Sequence, residues 1–326
     1  MNKLSKTNKI DVSKKKTEVV YIKIEEGGQR IDNFLMTHLK DIPKSHVYRL
    51  LRKGEIRVNK KRIKPEYRLQ TDDLLRLPPL MRAERKEKRA PDRLCDLINQ
   101  QVIYEDKAFL VVNKPPGVAV HGGSGINFGV IEALRQARPT EKYIELAHRL
   151  DRETSGCLLL VKKPSILKEV HQLLREGKVD KRYLALLQGK VPFKKEKRIN
   201  APLKKFELAG GERVVRSQAD GKPSETIFTL LDTFGKLASL VEAKPITGRT
   251  HQIRVHALLM GYPIAGDDKY GEKIFNKSMQ VYGLKRLFLH SHHLEFTLPS
   301  TGKHFKFEAP LASDLEKVRS ACQVMD

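Results

Sequence analysis

The chain of 326 residues contains no tryptophan, only three cysteines and no long apolar run. Cys95, Cys157 and Cys322 lie far apart and show neither zinc-ligand spacing nor a disulfide framework. We therefore expect a reducing, cytoplasmic compartment. The longest apolar stretches, such as residues 157–161, are short, whereas a transmembrane helix needs about 20 apolar residues. No secretory signal is recognisable either, and we expect no membrane association.

Acidic residues are scarce relative to basic ones. The chain has 39 Asp and Glu and 63 Lys and Arg, which gives a formal net charge of +24. Such an excess predicts a polyanionic partner. Nucleic acid is favoured over an anionic membrane surface, since no strongly apolar basic amphipathic helix is present. Hydrophobic residues make up 40% of the chain, enough for a core, which excludes a disordered basic protein.

The charge is unevenly distributed along the chain. Residues 1–90 carry 25 basic and 12 acidic residues, so more than half of the excess lies in the first quarter. This asymmetry indicates a basic module attached to a more balanced body. We predict a disordered basic tail over residues 1–18 and a small module over 19–80. A charged linker without an apolar stripe follows over 81–94, and a larger domain over 95–326.

The small module begins with two predicted helices over residues 30–53, separated at Ile42-Pro43. Ser45 is a suitable N-cap for the second helix, and Gly54 is suited to end it. Apolar and basic residues of this helix fall on opposite sides at helical spacing. The pattern predicts an amphipathic helix with a cationic outer face.

Strand patterns dominate the larger domain, which predicts an α+β fold around a mixed, mostly antiparallel sheet. Residues 198–222 carry no strong motif, and we interpret them as an insertion. Helical patterns are fewer and cover 127–138, 164–176, 250–260 and 311–320. The predicted strands are 102–104, 109–113, 157–162, 183–188, 225–232, 238–243, 286–296 and 304–308.

Two motifs contain residues suited to chemistry. Asp151 lies between Arg149 and Arg152, and neighbouring cations favour an ionised carboxylate that can act as nucleophile or base. A structural ion-pair network is the alternative. In the second motif, Arg254 follows Thr250, a suitable N-cap, and would lie near a helix start where a carboxylate is favoured. A surface or phosphate-binding arginine is the alternative.

Other motifs favour structure over chemistry. Residues 113–125 are rich in proline and glycine but lack the Gly-Lys-Ser/Thr ending of a phosphate-binding loop, so a structural loop is favoured. His290, His292 and His293 occupy a strand-like segment, where neighbouring side chains face opposite ways. No ligand at zinc spacing supports them, so we predict no metal site.

Taken together, four ordered motifs resemble those of the RluA-type pseudouridine synthases. They are NKPPG at 113–117, HRLDRETSG at 148–156, KRYLAL at 181–186 and GRTHQIRVH at 248–256. Residues 29–77 resemble an S4 RNA-binding domain. Within the family, the likeness is to members that modify large-subunit ribosomal RNA.

The resemblance implies an S4 domain before a pseudouridine synthase fold, and an isomerase that uses no cofactor. It implies that Asp151 attacks C1′ or removes the C2′ proton, and that Tyr183 stacks on the target base. Arg254 would pair with the aspartate, and Arg149 would assist base flipping. Ile253 and strand 157–161 are interpreted as apolar walls of the site or as ordinary core.

RNA is the implied partner, with 23S ribosomal RNA as the expected substrate of a monomeric enzyme. Two alternatives stay open: a synthase acting on transfer RNA or on both RNAs, and a non-catalytic RNA-binding factor in ribosome assembly. The basic face of the S4-like module is expected to contact phosphates. Its residues are Lys44, Arg49, Arg52, Lys53, Arg57, Lys60, Lys61 and Arg62.

Overall fold

The computed structural model describes residues 19–25, 27–39, 42–79, 89–123, 126–207 and 213–323. The chain divides into two compact units, Met1–Lys88 and Arg89–Asp326. The predicted tail, residues 1–18, and residues 81–88 of the predicted linker lie outside the described residues. Asp92, also within that linker, begins a helix. In the part of the chain described, no helix is long and apolar enough to cross a membrane.

The first unit combines two helices with a small antiparallel sheet. Helices α1 (Ile31–His38) and α2 (Lys44–Lys53) confirm the predicted pair. Strand β3 (Leu74–Leu77) lies between β1 (Val20–Lys23) and β2 (Arg57–Val58). Apolar residues of all these elements form one core.

The ends of α2 follow from its flanking residues. Pro43 immediately precedes the helix, and its fixed φ angle favours a helix start. The helix therefore begins at Lys44, and the predicted N-cap at Ser45 is wrong because Ser45 already lies inside the first turn. Gly54 ends the helix as predicted, with a φ of 70° that glycine adopts without a Cβ clash.

A ten-stranded mixed sheet forms the centre of the second unit. Its main path is β4 (Val102–Glu105), β5 (Phe109–Lys114), β7 (Ser155–Val161), β14 (Leu289–Thr297), β8 (Asp180–Gln188), β13 (Ala238–Pro245), β12 (Glu225–Phe234) and β9 (Glu196–Asn200). Strand β15 (His304–Glu308) pairs with β14, and β6 (Glu145–Leu146) pairs with β7. Among the described strands only β7 and β14 pair in parallel. The predicted α+β class with a mostly antiparallel sheet is confirmed.

Both faces of the central strands are buried. In β5, Leu110 and Val112 belong to one core, whereas Phe109 and Val111 belong to another, as the two-residue strand period requires. Helices α3 (Asp92–Gln100), α4 (Val130–Ala137) and α6 (Gln252–Leu259) contribute to the first core. Helix α5 (Pro164–Arg175) contributes to the second. This double burial explains the continuous apolar run of β7.

Six elements of this unit are not predicted from the sequence, namely α3, β6 and β9 above and two strands and a helix that follow. Helix α3 follows a charged segment and contains many polar residues. Its short apolar stripe, in which Cys95 and Ile98 are buried, is therefore difficult to recognise in the sequence. Strands β10 (Leu203–Glu207) and β11 (Arg213–Ser217) form a separate antiparallel pair inside the segment interpreted as an insertion. Helix α7 (Lys273–Met279) is short and is also not predicted, whereas α8 (Ser313–Gln323) confirms the helical pattern predicted over 311–320.

Candidate active site

A cleft of about 760 Å³ opens in the second unit. Its lining comes from the loop before β7, the start of β8, the last turn of α5 and the segment joining β13 to α6. Three of the four predicted site residues of this unit line it: Asp151, Tyr183 and Arg254. Arg149, the fourth, also lines the cleft and is exposed.

Hydrogen bonds to β7 hold the loop that carries Asp151. The Leu159 amide donates to His148 Nε2 at 3.1 Å, and the Leu159 carbonyl accepts from Ala147 at 3.0 Å. Burial lowers the pKa of His148 to about 4, so its imidazole stays a neutral acceptor. The loop is therefore attached to the most buried part of the sheet, and Asp151 takes its position from it.

Lys114, the last residue of β5, also supports the segment that carries Asp151. Its ammonium is fully buried and donates to the carbonyls of Pro115, Val118 and Arg152 at 2.8, 2.9 and 3.0 Å. The Gly117 amide also donates to the Arg152 carbonyl at 2.9 Å. The prediction of a structural loop over 113–125 is wrong for its first two residues, which belong to β5. The segment that follows, from Pro115 to Val118, fixes the residue after Asp151.

Arg254 has a different principal partner from the one predicted. Its Nε and Nη2 donate to Asp267 at 2.7 and 2.6 Å, forming a buried bidentate pair. Asp267 also accepts from the amides of Lys269 and Tyr270, both at 2.9 Å. Nη1 of Arg254 lies 3.9 Å from Asp151 Oδ2, so this guanidinium faces both carboxylates. The sequence reasoning missed Asp267.

The charges of this pair are stable despite burial. Burial opposes ionisation of both groups, but their hydrogen bonds and the attraction between opposite charges together outweigh it. The pKa of Arg254 is consequently raised, and that of Asp267 is lowered. The Tyr270 ring packs against the guanidinium, 5.0 Å from its carbon to the ring centroid. Arg254 is therefore a fixed cation beside Asp151.

Tyr183 lies on the cleft side of β8, with 8% of its surface exposed. Burial raises its pKa to about 12, so the phenol is neutral near pH 7. A flat, neutral ring whose edge reaches a cleft can stack on a nucleobase. Ile253 lines the cleft as predicted, but strand 157–161 does not, because β7 is buried in the two cores.

Cations other than Arg254 surround the mouth of the cleft. Arg149, Lys181 and Arg175 all line it, and among the described residues none of the three forms an ion pair within 4.0 Å. Burial lowers the pKa of Lys181. Arg152 points elsewhere, since its Nε donates to the Gly117 carbonyl and it pairs with Glu153. The expectation that two flanking arginines surround Asp151 is therefore wrong for Arg152.

The first unit presents its own cationic face. Of the eight residues predicted to contact RNA, seven are exposed, and Arg57 is half-buried with its Nε donating to the Gly54 carbonyl at 2.9 Å. Across residues 19–25, 27–39 and 42–79 none of the eight forms an ion pair. These charges are available to a phosphate backbone, which fits a role in RNA binding.

The three neighbouring histidines of β14 each have a separate partner. His290 Nδ1 lies 2.9 Å from Ser155 Oγ in the core, His292 pairs with Glu242, and His293 pairs with Glu295. Among the described residues no group of three or more metal-ligating side chains is assembled. These histidines contribute to packing and to hydrogen bonding within the sheet.

Family models match both units of the chain. The RNA pseudouridylate synthase model matches residues 108–259, which include all four predicted site residues of the second unit. The S4 domain model matches residues 29–75. The family and the N-terminal S4 domain inferred from the four motifs are thereby confirmed.

Similar full-length proteins have been described in bacteria. The chain is 50% identical over 306 residues to ribosomal large subunit pseudouridine synthase C of Pasteurella multocida, covering 93% of each chain. It is 51% identical over 304 residues to the protein of the same name from Escherichia coli strain K12, covering 92% of this chain and 95% of that one.

Solved structures share the fold of the second unit. The human protein named RNA pseudouridylate synthase domain containing 1 superposes with a TM-score of 0.55 at 27% identity, over 67% of this chain and 86% of that one. Human RNA pseudouridylate synthase domain containing 4 gives a TM-score of 0.58 at 24% identity, over 71% and 96%.

Proposed function

Because this chain belongs to the RNA pseudouridylate synthase family, we propose that it isomerises specific uridines of 23S ribosomal RNA to pseudouridine. The observation that carries the proposal is the grouping of Asp151, Tyr183 and Arg254 in one cleft with a cationic mouth. The likeness to two bacterial large-subunit synthases along almost the full length supports ribosomal RNA as the substrate.

The reaction needs only groups that this cleft offers. The C1′–N1 bond of uridine breaks, the base turns, and a C1′–C5 bond forms. N1 gains a proton and C5 loses one, so the composition of the nucleotide does not change. Proton transfers and stabilisation of charge are therefore the chemical tasks of the protein.

We assign the central role to Asp151. Its side chain is 20% exposed at the cleft, with Oδ2 3.9 Å from Arg254 Nη1, so its oxygens can reach a bound nucleotide. The carboxylate either attacks C1′ or removes a proton from C2′. Both routes need an accessible acid, and the Arg254 guanidinium places a positive charge beside it.

Tyr183 and Arg149 are assigned to the nucleotide itself. A uridine within a helix must leave its stack to reach the cleft, which costs a few kcal/mol. Stacking of the base on the neutral Tyr183 ring would offset part of that cost, since such contacts contribute about 1–3 kcal/mol. Arg149, exposed at the mouth, is placed to occupy the gap left in the RNA.

Two sets of cations would position the RNA. Arg149, Arg175 and Lys181 lie at the cleft, and the eight basic residues of the S4 face lie on the first unit. Contacts to phosphates position an RNA and contribute affinity that falls with salt. We propose that a single chain acts alone in the cytoplasm, because all the assigned catalytic side chains come from one copy.

Tritium release from RNA labelled at uridine C5 tests the proposal. The wild-type protein should release tritium from 23S RNA and from no transfer RNA, and the modified positions should map to a few uridines. Asp151→Asn should lower the rate by at least about 10³-fold, as loss of a catalytic nucleophile or base does. The affinity for RNA should stay unchanged.

Asp268→Asn is the matched control, because Asp268 is exposed and neighbours the site without lining it. It should retain wild-type release. Unchanged release by Asp151→Asn would refute the catalytic assignment. Release from transfer RNA alone would refute the substrate assignment, and RNA binding without any release would support a non-catalytic factor.

A further inference from the structure

His251 lies beside the catalytic carboxylate but has no role in the scheme above. Its Nε2 is 3.9 Å from Asp151 Oδ2, the same distance that separates this oxygen from Arg254 Nη1. Its Nδ1 lies 2.7 Å from the Tyr270 hydroxyl. Only 14% of its side chain is exposed. The imidazole therefore bridges the carboxylate and a tyrosine that also packs on Arg254.

The backbone of His251 is held in an unusual conformation. Its φ is 53° and its ψ is 19°, in the left-handed region that few residues other than glycine adopt. Helix α6 begins one residue later, and Thr250, the predicted N-cap, does not occupy the cap position. The His251 side chain does not cap the helix either, because it turns toward Tyr270. Strained backbone of this kind is typical of functional sites.

The hydrogen bonds of Tyr270 determine the tautomer of the imidazole. The Tyr270 oxygen accepts from the Val215 amide of β11 at 2.9 Å. Its own proton needs an acceptor, because the residue is only 9% exposed. Among the described residues His251 Nδ1 is the acceptor within reach. Nδ1 is then unprotonated, and the single proton of a neutral imidazole lies on Nε2, facing Asp151.

Burial keeps the imidazole neutral. It lowers the pKa of His251, while Asp151 acts in the opposite direction and Arg254 and Lys269 add to the lowering. A neutral ring with an Nε2–H can donate to Asp151 without removing its charge. Hydrogen bonds in unliganded sites are often long and shorten when the substrate binds, so a separation of 3.9 Å is compatible with this donation.

We propose that His251 is a positioning residue that orients Asp151 through Nε2–H, with its tautomer set by Tyr270. The proposal rests on the assigned role of Asp151. Arg254 and His251 flank the same oxygen from two directions, which restricts the carboxylate without occupying it. The Val215 amide links this arrangement to the β10–β11 pair. Misplacement of a reacting group by about 1 Å can cost about 10²-fold in rate.

Three variants test the proposal by tritium release. His251→Ala should lower kcat by about 10²-fold with little change in KM, because the residue acts through Asp151 and not on the RNA. His251→Gln should recover much of that loss, since its amide can accept from Tyr270 and donate to Asp151. Tyr270→Phe should lower kcat by a smaller factor. His304→Gln, at an exposed histidine on β15, should behave as wild type.

Nitrogen-15 spectra of labelled histidine test the tautomer independently of activity. The signal that disappears in His251→Gln belongs to His251, and it should show an unprotonated Nδ1 and a protonated Nε2. Tyr270→Phe should shift this signal toward a mixture of tautomers. A proton on Nδ1 in the wild type, or an unchanged kcat in His251→Ala, would overturn the proposal. Absence of tritium release from every RNA would instead refute the proposed function, and the spectra would still report the tautomer.

Discussion

The buried ammonium of Lys114 should make the stability of this protein rise with pH. Burial lowers its pKa from 10.5 to about 7, and at about 1.4 kcal/mol per pKa unit the charged form costs about 5 kcal/mol relative to water. Between pH 7 and 10.5 the unfolded chain binds a proton that the native protein has released. Stability therefore increases with pH, by about 2 kcal/mol from pH 7 to 9.

Lys114→Met should abolish this contribution. Methionine carries no proton and leaves the carbonyls of Pro115 and Val118 without their Lys114 donor, at a cost of about 1–3 kcal/mol each. The Arg152 carbonyl also loses Lys114 but keeps the Gly117 amide as a donor. The variant should be less stable at pH 9, and its kcat should fall because the segment after Asp151 loses an anchor. Urea unfolding at several pH values between 7 and 9 measures both stability and slope.

Lys142→Met is the control for this experiment, because Lys142 is exposed. It should retain the wild-type slope. The pKa of Lys181 is also lowered by burial, but this lysine is present in every variant, so the difference between slopes isolates Lys114. Parallel stability curves for the wild type and Lys114→Met would refute the reasoning and show that the three carbonyls keep the ammonium charged.

Two further substitutions probe the cleft. Asp267→Asn leaves Arg254 buried beside a neutral amide, so thermal unfolding should show a loss of about 3–5 kcal/mol together with lower kcat, whereas Asp268→Asn should change neither. Lys181→Met should weaken RNA binding and reduce the slope of log affinity against log salt by about 1, as measured by fluorescence anisotropy. An unchanged slope would mean that Lys181 does not contact a phosphate.

Much of the fold follows from local patterns in the sequence. Strands such as β5 and β7 have continuous apolar runs bounded by turn residues, and α2 separates its apolar and basic sides. Helix α3 and the β10–β11 pair are harder to predict. Their apolar residues are few, and their stability comes from contacts with distant elements that no local pattern records.

The sequence motifs contain the residues that we propose to be catalytic, but they do not reveal the partners that support these residues. Asp151, Tyr183 and Arg254 were inferred from motifs, and their convergence in one cleft fits that inference. Asp267 was missed because the bidentate pair joins residues 13 positions apart, across the turn after α6. The roles of His148 and Lys114 depend on backbone groups, which the sequence does not distinguish.

Arg254 faces two carboxylates with different nitrogens, and this arrangement would allow an acidic side chain to act on a polyanionic RNA. If both edges of the guanidinium paired with Asp151, the oxygens of this carboxylate would be occupied by hydrogen bonds. Asp267 instead binds Nε and Nη2, and Nη1 is left facing Asp151 at 3.9 Å. The proposed nucleophile or base thus receives a nearby positive charge without a direct hydrogen bond. In the proposed scheme, the net charge of +24 would attract RNA from a distance, and the buried pair of Arg254 and Asp267 would leave Asp151 free to reach the bound nucleotide.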